Sequence, residues 1–84
     1  MSFTTYILFS HSIKKFYTGQ TEDLEKRIGE HNRGKTPGME RGIPWIVVFS
    51  FEFPTRSEAV RLENTIKNRG AKRFLIDNGW GELG

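Results

Sequence analysis

The chain contains no cysteine, which excludes disulfide staples and metal sites built on thiolates. No Cys/His metal-binding spacing is present, and no glycine-rich phosphate loop, since "GQTEDLEKR" is not a Walker motif. No nucleophilic Ser–His pairing stands out. No apolar run approaches the roughly 18–20 residues needed to cross a bilayer, so no membrane association is expected. A basic region followed by an apolar stretch and a small-residue cleavage site is missing from the N-terminus, so the expected location is cytoplasmic. Internal repeats and low-complexity segments are absent as well.

What is present describes a globular protein. Of 84 residues, 36% are hydrophobic and 27% charged, with seven Phe and two Trp. That length points to one domain over residues 1–84, near the lower end of what buries a self-sufficient core. Thirteen basic residues against ten acidic ones give a net charge of +3. Such a balance is compatible with a phosphate-bearing partner and common in proteins without one.

Residues 3–9, "FTTYILF", are β-branched and aromatic, and predict a strand. "SHSIKK" is polar and turn-like, and "FYTGQ" reads as the returning strand of a hairpin. Thr21 is placed to cap a helix over 22–33 whose first turn carries Glu22 and Asp23, where carboxylates suit the positive end of the dipole. Leu24, Ile28 and His31 share one face of that helix, and Gly34 and Pro37 end it. "NRGKTPGMERGIP" (32–44) is loop-rich. "WIVVFSFEF" (45–53) is the most apolar strand and is expected at the centre of the sheet. Thr55 with Glu58 forms a capping box opening a helix through Asn68, and "AKRFLIDN" predicts a third. The order β-β-α-β-α-α implies an α+β fold, a small, largely antiparallel three-stranded sheet flanked by helices.

Five side chains go beyond what this fold needs. Tyr6 and Tyr17 place a phenol on each of two adjacent strands, and Gly19 thins the backbone beside the second. Arg27 and His31 stand at i, i+4 on the first helix. Glu63 lies at the edge of the Ala59–Leu62–Ile66 stripe, where a carboxylate is costly unless it is paired, hydrogen-bonded or metal-bound. Packing alone offers each a simpler duty. The tyrosines fill a sheet, Gly19 marks a bulge, Arg27 pairs with Asp23, His31 packs at a helix end, and Glu63 pairs with Lys67 four residues on.

Together they suit phosphodiester hydrolysis. A phenol near a cation can serve as general base. The guanidinium of Arg27 matches a phosphate oxygen. Mg²⁺ keeps several waters and takes only one or two protein carboxylates, so Glu63 alone suffices. Gly19 would let phosphate approach the backbone.

The pattern resembles the GIY-YIG nuclease domain, and within it the small stand-alone members related to the excision-repair endonuclease subunit. "TYIL" (5–8) resembles the first motif and "YTG" (17–19) the second, with Thr18 in the usual isoleucine or valine slot. "DLEKRIGEHNRGK" (23–35) is similar to the family's helix, and "SEAVRLENTIK" (57–67) to the segment that supplies its glutamate. The resemblance implies an endonuclease acting on DNA, in repair or processing of branched or damaged DNA. It implies one Mg²⁺ or Mn²⁺ on Glu63, Arg27 on the scissile phosphate, and Tyr17 or Tyr6 receiving the water's proton. His31 would orient water or a hydroxyl, and Lys35 would touch phosphate. The chain departs from close relatives in "PGMERG" (37–42), where Met39 and Glu40 stand at positions commonly held by Tyr and Thr. A homodimer or a separate DNA-binding partner would extend the surface. The alternatives are a catalytically inactive nucleic-acid-binding module and a protein-interaction domain using Trp45 or Trp80.

Overall fold

The computed structural model describes residues 2–79. Strand β1 spans Phe3–Ser10, β2 Lys15–Thr21 and β3 Trp45–Phe53. Helix α1 spans Leu24–Asn32, α2 Arg56–Arg69 and α3 Ala71–Asp77, and a single 3₁₀ turn occupies Glu40–Gly42. The fold is α+β, with all pairings antiparallel and the strand order β2-β1-β3.

β1, not β3, is therefore the central strand. The reason lies in how each strand satisfies its surroundings. Thr4, Thr5 and Ser10 of β1 are buried despite their hydroxyls. Thr5 Oγ1 donates to the Ala59 carbonyl at 2.7 Å, and Ser10 Oγ accepts from the Ile13 amide at 3.3 Å. β3 is more apolar yet lies at an edge, with Ile46, Val47 and Phe51 exposed.

Alternation along β1 feeds a core on each face of the sheet. Tyr6 and Leu8 pack with Met39 and Trp45, against which Tyr17, Leu24 and Ile28 also lie. Ile7 faces the other way, onto Ile66 and Leu75, with Phe16, Phe49 and Phe74 around them. Trp45 is 5% exposed, and its indole Nε1 donates to the Met39 carbonyl at 2.8 Å. This removes it as an exposed docking aromatic, and Trp80 lies outside the described residues.

The caps differ at one helix. Asp23, not Thr21, caps α1, its carboxylate accepting from the Lys26 amide at 3.1 Å. Thr21 Oγ1 instead accepts from the Asp23 amide, fixing the entry to the cap. At α2 the expected cap forms and the pair closes differently from a capping box: Thr55 Oγ1 accepts from the Glu58 amide at 3.3 Å, and it is the Thr55 hydroxyl that donates to the Glu58 carboxylate, at 2.7 Å. None of the described helices is long and apolar enough to cross a membrane. Replacing Thr55 with Ala is expected to lower stability by about 1 kcal/mol, read as a reduced urea midpoint at unchanged m-value.

Candidate active site

The antiparallel register of β1 and β2 sets Tyr6 opposite Gly19 and Leu8 opposite Tyr17, so both phenols emerge on the face that α1 covers. Their ring centroids are 6.3 Å apart. Helix periodicity puts Arg27 and His31 one turn apart over the same face. His31 is fully buried, its ring centroid 5.1 Å from that of Tyr17 and 6.3 Å from that of Tyr6. Both its nitrogens are engaged: Nε2 with the Tyr6 hydroxyl at 3.3 Å, and Nδ1 with the Thr36 hydroxyl at 2.9 Å.

Tyr6 is 1% exposed. Burial pushes its phenol up to about 12, opposed by the hydrogen-bonding interaction with Arg27, with Tyr17 and Glu63 adding to the rise. It is thus a protonated hydroxyl at neutral pH. Tyr17 is the partly exposed member of the pair. The guanidinium of Arg27 is held firmly protonated, chiefly by the Tyr6 hydroxyl, with Glu30 and Tyr17 contributing. Its ion pair is with Glu30 at 3.2 Å rather than with Asp23. Arg27 also borders a hollow of about 230 Å³ lined by Thr21, Glu22, Asp23, Lys26 and Glu30.

Glu63 takes the simpler of the duties open to it. Its carboxylate pairs with Lys67 at 2.7 Å, yet its side chain is only 17% exposed against 54% for the lysine. Helix α2 packs on the Ile7 face of the sheet, opposite the one that carries the phenols, and the Glu63 charge is the least of the influences on the Tyr6 phenol. Among the described residues no group of three or more His, Asp and Glu is disposed to hold a metal. An ion here would rest on this carboxylate and water. One carboxylate is within what a hydrated Mg²⁺ accepts from protein, and here the Lys67 ammonium holds that carboxylate instead.

Gly19 has a different neighbour from the phosphate anticipated for it. A Cβ built there would stand 2.7 Å from the Tyr6 hydroxyl oxygen and 3.1 Å from the Tyr17 ring. The missing side chain makes room for the phenols. Lys35 is exposed beyond the end of α1, its amide donating to the Glu30 carbonyl at 3.0 Å.

Two residues of this centre escape a reading of the sequence. Thr36 sits in an irregular loop where no periodicity marks it, its only signal being a hydroxyl a few residues beyond His31. Glu30 reads as solvated helix surface, although its i, i+3 spacing from Arg27 was available.

Residues 2–75 match the family model for the GIY-YIG catalytic domain. A UPF0213 protein of Haloquadratum walsbyi is 39% identical over 71 residues, covering 81% of this chain and 80% of that protein. One from Nitratidesulfovibrio vulgaris is 39% identical over 60 residues, and there the alignment spans 70% of this chain but 54% of the relative. The solution NMR structure of a UPF0213 protein from Bacillus halodurans superposes with a TM-score of 0.58 at 34% identity, over 96% of this chain and 88% of that one. That of an E. faecalis protein gives 0.61 at 31%, over 93% and 85%.

Two outcomes follow from this packing. Gly19→Ala is expected to cost roughly 1–3 kcal/mol through overpacking, seen in urea unfolding together with a changed environment of the Tyr6 ring by NMR. The second concerns pH. Burial, followed by the Arg27 charge, holds the His31 imidazole below its usual 6.5. The unfolded chain then takes up that proton at a higher pH than the folded one. The stability from neutral His31 is complete above about pH 6.5 and is lost as pH falls through the lower folded value. Between about pH 7.5 and about pH 5, wild type should lose more unfolding free energy than His31→Gln.

Proposed function

The chain belongs to the GIY-YIG catalytic-domain family, and from that premise we propose that it is a divalent-metal-dependent endonuclease hydrolysing phosphodiester bonds in DNA, in repair or processing of branched or damaged substrates. The observation that supports this most directly is the gathering of Tyr6, Tyr17, Arg27 and His31 around one buried hydroxyl.

Each residue then has a duty that follows from its setting. Arg27, partly exposed and permanently charged, presents a fork to a non-bridging phosphate oxygen. Glu63 holds one Mg²⁺ or Mn²⁺, which when bound neutralises charge developing on the phosphate and the leaving oxygen. Tyr17, the more accessible phenol, in its phenolate form accepts the water's proton as the new oxygen–phosphorus bond forms. The bond to the leaving oxygen breaks, and that oxygen takes a proton from solvent. Tyr6, buried and protonated, positions Arg27, and His31 fixes the Tyr6 hydroxyl. Lys35, exposed beside this face, is suited to an outlying phosphate. Gly19 has no direct duty toward substrate in this scheme.

A net charge of +3 gives a weak hold on nucleic acid with steep salt dependence. A second copy of the chain or a separate DNA-binding protein would supply further surface. The ion pair of Glu63 with Lys67 favours a second reading, a nucleic-acid-binding module whose carboxylate serves only the helix.

A titration with Mn²⁺ separates the two. Wild type should nick branched or damaged DNA as the ion is added, and Glu63→Gln should lower cleavage at least about a hundredfold, since the metal supplies several kcal/mol. Cleavage undiminished in that variant would overturn the metal assignment. Salt-sensitive binding without cleavage in wild type would select the second reading.

A further inference from the structure

We infer that Thr36 is a positioning residue: its hydroxyl accepts the Nδ1–H of His31 and so stabilises the tautomer in which bare Nε2 takes the Tyr6 hydroxyl proton. The inference rests on the nuclease reading for its catalytic consequence, but its structural content stands apart from it. Thr36, His31 and Tyr6 form one chain of hydrogen bonds, Oγ1 to Nδ1 at 2.9 Å and Nε2 to Oη at 3.3 Å.

Donor and acceptor chemistry fixes the sense of this chain. A neutral imidazole has one N–H and one bare nitrogen. The Tyr6 hydroxyl is buried and faces Arg27, a group with donors and no acceptor. Its own proton needs an acceptor, and leaving a buried hydroxyl proton unpaired costs about 1–3 kcal/mol. His31 Nε2 is the acceptor in place. Nε2 must then be bare, the proton sits on Nδ1, and Nδ1–H donates to Thr36 Oγ1. The opposite tautomer would point two donors, Nε2–H and the guanidinium, at one phenol oxygen and leave the phenol proton without a partner.

Thr36 is well held for this duty. The loop following α1 is tied down by the Lys35 amide on the Glu30 carbonyl at 3.0 Å and by the Met39 amide on the Thr36 carbonyl at 3.1 Å. Met39 in turn is buried beside Tyr6, Leu8 and Trp45. The Thr36 hydroxyl is therefore fixed from both sides. It orients His31, which orients Tyr6, which keeps an oxygen lone pair turned to Arg27.

The test uses the full chain, ¹⁵N-labelled at histidine, as wild type, Thr36→Val and Thr36→Ser. Long-range ¹H–¹⁵N NMR reads the tautomer of His31 with no substrate or metal present. Wild type and the serine variant should show Nδ1–H, while the isosteric valine variant should gain the Nε2–H form. With DNA and Mn²⁺, valine should lower kcat roughly tenfold with KM unchanged, and serine should restore it, as for other hydrogen bonds that orient a functional histidine. Nε2–H in wild type, or identical tautomers and kcat in all three proteins, would overturn the inference. Should Thr36→Val fail to fold, Thr36→Ala, which also removes the hydroxyl, takes its place with the same expected and overturning results. Should wild type show no cleavage, the nuclease reading fails while the tautomer result stands.

Discussion

A phenol hydroxyl buried in the middle of a sheet must find an acceptor, and that of Tyr6 finds the ring of His31 at 3.3 Å. Much of the surrounding sequence answers to that requirement. Position 19, directly across the hairpin, must be glycine because the hydroxyl oxygen occupies the space where a Cβ would stand. The first helix must lie low enough over β1 and β2 to bury His31 completely. The loop after it must return a hydroxyl to the other imidazole nitrogen. Satisfying one buried polar group thus fixes a strand pair, a helix and a loop relative to one another.

The same elements that hold the fold together deliver the charged groups. Helix α2 is tied to the central strand by the Thr5 hydroxyl on the Ala59 carbonyl, and Ile66 is fully buried against Ile7. Glu63 lies between those two anchors, so its carboxylate is placed by packing on both sides of it. Arg27 is placed likewise, between Leu24 and Ile28, which both pack on the Tyr6 cluster. Sites built on packed helices and strands hold their geometry better than sites on free loops. The one loop residue involved, Thr36, is secured by the burial of Met39 three positions later.

Sequence alone made the elements legible because each carries its own period. The apolar and aromatic runs of the hairpin, the Leu24–Ile28–His31 stripe and the Thr55–Glu58 pair are all local signals, and each appears where it was expected. Sheet order is not local. Hydropathy alone favours β3 for the centre, but a hairpin whose partner strand returns on the far side leaves β1 in the middle. The hydroxyls of β1 disguise that place because they are satisfied by Ala59 and Ile13, residues distant or irregular in the chain. The loop over 32–44 was opaque for a related reason. Met39 is a core residue there, yet an apolar side chain in irregular backbone has no spacing to betray it. Met39 is taken up as packing beside Tyr6.

The charges of the site are held in a way that bears on how it would work. Arg27 is paired with Glu30 at i+3, and Glu63 with Lys67 at i+4, each partner lying on the same helix. Partly exposed pairs of this kind are worth about 0–1 kcal/mol, so a phosphate or a divalent ion of higher charge density can displace either partner cheaply. Burying Arg27 or Glu63 unpaired would have been far more costly in the free protein. The intrahelical partners therefore keep both charges satisfied without a ligand present.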